Sequence, residues 1–161
     1  MTDKWDLGQV KKSYEPIQVK YGLPSFEKLN ADFHIEKIAD NETDFVLREI
    51  RVCITEKFLN YLRFIESLIN PSNTPMFVFA MIKSLGVKDR EKLIELYKKI
   101  SKLEIDLIEL DLGYSEKKEA DAIKKYCGMW EEIKIKFSEV IEVIKKNLDN
   151  KTEDNEKGYL G

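Results

Sequence analysis

Two pairs of glutamates carry the clearest chemical spacing in this chain. Glu116 and Glu119, then Glu139 and Glu142, each stand three residues apart in a stretch whose apolar pattern predicts a helix. A step of three returns nearly to the same helix face, so each pair sets two carboxylates side by side. Such oxygen pairs are suited to Mg2+. Both pairs fall on one predicted helix, Glu116 to Leu148, roughly 35 Å apart at the usual rise per residue. They cannot grip one ion cluster together unless a partner chain supplies the other half, and a solvated helix face explains them as well. Lys57 sits among Cys53, Ile54, Tyr61 and Phe64 on a helical wheel, near the middle of an apolar arc. Desolvation there would lower its pKa and make it a base or nucleophile, unless it snorkels out or meets an acid. His34 is the only histidine, which rules out a two-histidine site within the chain. Cys53 and Cys127 form neither a CxxC nor a zinc spacing, and both fall on apolar faces as expected of buried free thiols.

The glutamate set resembles the acidic motifs of MazG-type all-α nucleoside triphosphate pyrophosphatases, in which two acidic pairs converge from separate helices. The resemblance implies Mg2+-dependent nucleotide hydrolysis with Glu116, Glu119, Glu139 and Glu142 as ligands. The single-helix placement departs from that pattern. Three further segments, Leu23–Leu29, Asp44–Arg51 and Tyr114–Ala120, resemble stretches of uncharacterised archaeal helical proteins, which implies a helical bundle of archaeal source and no particular activity. Glycine-rich phosphate loops, GxSxG elbows and HExxH motifs do not occur in the sequence.

These side chains need helices to position them, and the composition favours helices. Of 161 residues, 43% are apolar and 35% charged, with only 7 Gly and 4 Pro to interrupt regular structure. The 27 basic and 30 acidic side chains leave a net charge of -3. That balance argues against nucleic acid, whose binding draws on a basic surplus. No apolar run approaches the roughly 20 residues of a membrane span, and Met1 to Gly8 contains no signal-like segment, so a cytoplasmic protein is expected.

Residues 1–24 read as an extended arm with scattered aromatic anchors, interrupted by Pro16 and Pro24. Ser25 caps a short helix with Phe26, Leu29 and Phe33 on one face. A long helix follows from about Thr43 to Asn70, its arc running from Val46 to Leu68 and its wet side holding Arg48, Arg51, Thr55 and Glu66. Thr74-Pro75 opens the second short helix, whose Met76–Ile82 run is apolar on every face. Asp89 caps the next long helix, which reaches about Leu112. Leu93, Leu96, Ile100, Leu103, Leu107 and Leu110 form its seam, and Ile94, Ile105, Ile108 and Leu112 a second stripe. Gly113-Tyr114-Ser115 then turns into the last helix, where Ile123, Trp130, Phe137 and Ile144 recur every seven residues.

The expected fold is therefore an all-α antiparallel bundle of three long and two short helices. Its bounds are 1–24 for the arm, 25–148 for one bundle domain and 149–161 for a disordered acidic tail. The expected function is a non-catalytic protein-interaction module, a homodimer or a partner-binding subunit, with no cofactor. Its contact candidates are Met76, Phe77, Phe79, Met81, Ile105, Ile108, Tyr159 and Leu160. The alternatives are the carboxylate-based hydrolase and a nucleic-acid-associated accessory subunit.

Overall fold

A computed structural model describes residues 6–40, 43–72 and 75–158, with side chains described through Asn150. The described chain opens on a capping box: Asp6 accepts from the Gln9 amide while the Gln9 side chain accepts from the Asp6 amide. From it runs α1, Leu7–Tyr21, where the sequence predicts an extended arm. Pro16 lies inside this helix and removes one backbone donor. The helix survives because it is tied on both sides of the proline. Val10 and Tyr14 are fully buried, and the Tyr14 hydroxyl donates to the Pro24 carbonyl at 2.6 Å. At the far end Gly22 takes φ 62°, ψ 47°, a left-handed cap that glycine reaches without strain.

The remaining elements are α2 (Phe26–Phe33), a 3-10 turn (Ile35–Asp40), α3 (Val46–Ile69), α4 (Met76–Ser84), α5 (Val87–Asp111) and α6 (Glu116–Gly158). The fold is an all-α bundle, with six α-helices, one 3-10 helix and no strand among the described residues. Beyond the five predicted helices it therefore holds α1 and the 3-10 turn. Ser25 caps α2 as expected, accepting from the Lys28 amide. α5 starts two residues before Asp89, whose carboxylate accepts from the Gly86 amide ahead of the first turn. α6 runs ten residues past Leu148, through what the composition predicts to be a disordered tail. Each residue added to an existing helix gains a backbone hydrogen bond without repaying the cost of nucleation.

The chain divides into two compact units, Met1–Leu59 with Glu104–Trp130, and Asn60–Leu103 with Glu131–Gly161. Each of α3, α5 and α6 contributes residues to both. The first unit is built on aromatic rings. Phe58 meets Trp130 edge-on at 5.7 Å, Phe33 meets Trp130 at 5.6 Å, Tyr126 extends the cluster, and Phe26 pairs separately with Tyr14 at 6.1 Å. Such contacts add about 0.5–1.5 kcal/mol each beyond their buried area. In the second unit Leu62, Ile65, Leu93, Leu96, Ile100, Ile133 and Val140 form an aliphatic core, and Phe137 packs edge-on to Tyr61 and Phe64. Here α5 and α6 run antiparallel, with Lys92 on Glu139, Glu95 on Lys136 and Lys99 on Glu132.

Candidate functional site

The glutamates predicted as metal ligands lie against cations. Glu116, in the first turn of α6, accepts from Lys20 at 2.7 Å and from the Tyr21 hydroxyl at 2.8 Å. Those two hydrogen bonds hold its carboxyl below the usual carboxylate range. Glu119 is only 1% exposed and accepts from the Arg51 guanidinium at 2.8 and 3.3 Å, with Arg48 at 3.5 Å. Arg51 is 2% exposed and also donates to Asp111 at 3.0 Å. Burial works to lower the guanidinium pKa, but the bonds and charge of Glu119, and then of Asp111, outweigh it and leave it raised. In the second unit Glu139 pairs with Lys92, and Glu142 is exposed. Among the described residues no group of three or more His, Cys, Asp or Glu side chains is arranged to hold a metal.

Arg51 and Thr55 correct the wheel, which places both on the wet side of α3. The helix is packed on more of its circumference than its apolar arc. Arg51 is buried against α6, and the Thr55 hydroxyl is satisfied by the Arg51 carbonyl at 3.0 Å. Local spacing carries no signal for this, since the partner carboxylate arrives from α6, 68 positions later.

Lys57 does lie among apolar side chains. Its ammonium donates to the Asp32 carbonyl in the last turn of α2 and stands 4.7 Å from the Trp130 ring centre and 5.7 Å from that of Phe33. A cation on a terminal carbonyl complements the negative end of a helix, so Lys57 fixes where α2 stops. His34 forms that stop itself, in the left-handed region at φ 52°, with an exposed ring 3.5 Å from Glu36. Both cysteines are buried, and burial pushes the Cys53 thiol up to about 11, far from a reactive thiolate at neutral pH.

A groove between α5 and α6 in the first unit is lined by Asp106, Glu109, Lys118, Asp121, Lys125 and Tyr126. Its acids and bases are largely matched, Asp106 with Lys125 and Glu109 with Lys118. The buried Tyr126 hydroxyl has no hydrogen-bond partner among the described residues, and burial raises its pKa to about 12.

The second unit contains the feature that stands furthest from an ordinary protein surface. On α4, Met76 is 88% exposed, Phe77 64% and Phe79 42%. Only Met81 of the predicted contact residues on this helix turns inward and is buried. The end of α4 is anchored, with Asn147 donating to the Ser84 carbonyl at 2.6 Å and Arg90 to the Ile82 carbonyl at 3.3 Å. Beside it lies a recess of about 210 Å³ lined by Leu68, Ile69, Pro71, Ile82, Arg90, Leu93 and Ile94. Ile105 and Ile108 on α5 are exposed as well, in the first unit. Tyr159 and Leu160 lie outside the described residues.

No family model matches this chain, and no curated protein or solved structure matches it significantly. Among the described residues, no helix is long and apolar enough to cross a membrane.

Proposed function

We propose that this protein is a non-catalytic helical module that acts through protein–protein contact, with α4 as its contact element. The observation that carries the reading is the exposure of Met76, Phe77 and Phe79 on a helix whose end is firmly held. Large apolar side chains grouped on a surface mark interaction sites, whereas single ones are ordinary. Methionine and phenylalanine suit such a surface, the first by adapting its shape and the second by offering a broad rigid ring. The carboxylates of a hydrolase find less support, because Glu116, Glu119 and Glu139 are engaged by Lys20, Arg51 and Lys92.

The test is the triple variant Met76→Ser, Phe77→Ser, Phe79→Ser. If these side chains serve contact, the variant melts within about 2 °C of the parent, since surface changes rarely shift stability by more than about 0.5 kcal/mol. It also stays soluble at ammonium sulfate concentrations that precipitate the parent. A melting point lowered by more than about 6 °C would assign the three residues to the protein's own fold and overturn the reading.

A further inference from the structure

The face that α4 presents carries both a projection and a recess. Met76, Phe79 and Ile82 follow one another at steps of three along one side of the helix, and Ile82 forms part of the recess wall. A two-fold contact between identical chains requires a self-complementary patch, and a knob beside a hole on one face meets that requirement. Resting on the interaction reading above, we propose that the occupant of this face is a second copy of the chain. The two α4 helices would cross antiparallel, with Phe79 on the two-fold axis and Met76 of each copy entering the recess of the other.

The register follows from the spacing. With the axis at Phe79, the residue three before it in one helix falls opposite the residue three after it in the other, which sets Met76 against Ile82. Methionine, unbranched and polarizable, fills an irregular hole of this kind well. Charge selects the direction. Lys83 is the only charged residue of α4. A parallel pair would place the two Lys83 ammonium groups side by side, whereas the antiparallel pair separates them by about 12 Å along the axis, beyond the screening length at physiological salt. The three exposed side chains offer on the order of 400 Å² per copy. That is about half of a standard interface, so the rim of the recess must contribute and the dimer should be a weak one.

The experiment is sedimentation velocity of the full chain from about 1 to 200 µM, together with cysteine cross-linking. Phe79→Cys should give an intermolecular disulfide under mild oxidation at least tenfold faster than Val19→Cys, a strongly exposed control position in the first unit. The native Cys53 and Cys127 are buried and do not compete. A mixture of Met76→Cys and Ile94→Cys chains should cross-link to each other faster than either does to itself. A chain that stays monomeric throughout the range overturns self-association and leaves the contact reading to the serine variant. A dimer in which Phe79→Cys reacts no faster than the control overturns the register. A monomer that instead pellets with anionic phospholipid vesicles, and loses this in the serine variant, overturns the proposal in favour of a lipid surface.

Discussion

Replacing Glu119, like replacing its partner Arg51, should be among the most destabilising single charge changes in the described residues. Its carboxylate is almost wholly withdrawn from water, and so is the guanidinium it faces. Removing one partner of such a pair leaves the other charge buried without compensation, at about 3–5 kcal/mol. Asp111 reaches Arg51 as well, but its own side chain is largely exposed and can replace little of the loss. Glu119→Ala should therefore lower the midpoint of thermal unfolding by about 6–20 °C for a chain of this size. Asp111→Asn should cost about 1 kcal/mol or less. The double replacement Arg51→Met with Glu119→Leu removes both charges and should recover most of the single loss, because an apolar pair of similar volume pays no desolvation penalty. Urea unfolding followed by circular dichroism on the parent, Arg51→Met alone, Glu119→Leu alone and the double variant closes the cycle. A Glu119→Ala cost below about 1 kcal/mol, or a double variant as unstable as the two singles combined, would refute the coupling assigned to this pair.

Other perturbations have equally definite outcomes. Lys57→Met exchanges a charged hydrogen bond to the Asp32 carbonyl for apolar contact and should cost about 1–2 kcal/mol in urea unfolding; an unchanged midpoint would remove Lys57 from the account of where α2 stops. Neither Cys53 nor Cys127 should react with a thiol reagent at pH 8 on the native chain, while both should react fully in denaturant. Glu27, Glu116 and Glu132 are held below the ordinary glutamate value of about 4.5 by lysine hydrogen bonds, with Tyr21 adding to Glu116. Their contribution is complete above about pH 4.5 and should be lost as the pH falls through their lowered values, visible as an acid limb that salt weakens. Tyr126 runs the other way: burial raises it from 10.0 to about 12, so its contribution is whole below pH 10 and should disappear as pH rises toward 12. Tyr126→Phe should flatten that alkaline limb.

The long helices were legible because their spacing repeats. In α6, Ile123, Trp130, Phe137 and Ile144 recur in steps of seven, all buried except the half-buried Phe137, and no strand pattern competes over that length. α1 was missed although Val10, Tyr14, Ile17 and Tyr21 step by four, three and four. Pro16 outweighed them, because a proline in a helix interior costs about 3 kcal/mol and ordinarily decides the matter. What offsets it is the Tyr14 hydrogen bond to Pro24 and the capping box, and the first of these is a tertiary contact invisible to local spacing. Arg51 failed for a related reason. A wheel assigns polar residues to water, and only the carboxylate arriving from α6 68 positions later could reverse that.

α4 shows where sequence stops and structure has to decide. Seven residues from Met76 to Ile82 carry no charge in a chain where 35% of residues are charged. The pattern is apolar all round, which is equally the mark of a wholly buried helix and of one that meets a partner. Neighbours decide between them, and the structure supplies a neighbour for Met81 but leaves Met76, Phe77 and Phe79 to solvent. An uncovered surface of that kind lowers solubility as well as inviting contact. The serine variant should therefore remain soluble at ammonium sulfate concentrations that precipitate the parent. Equal precipitation thresholds would mean that these side chains are already covered within the free chain, and α4 would then lose its role as a contact element.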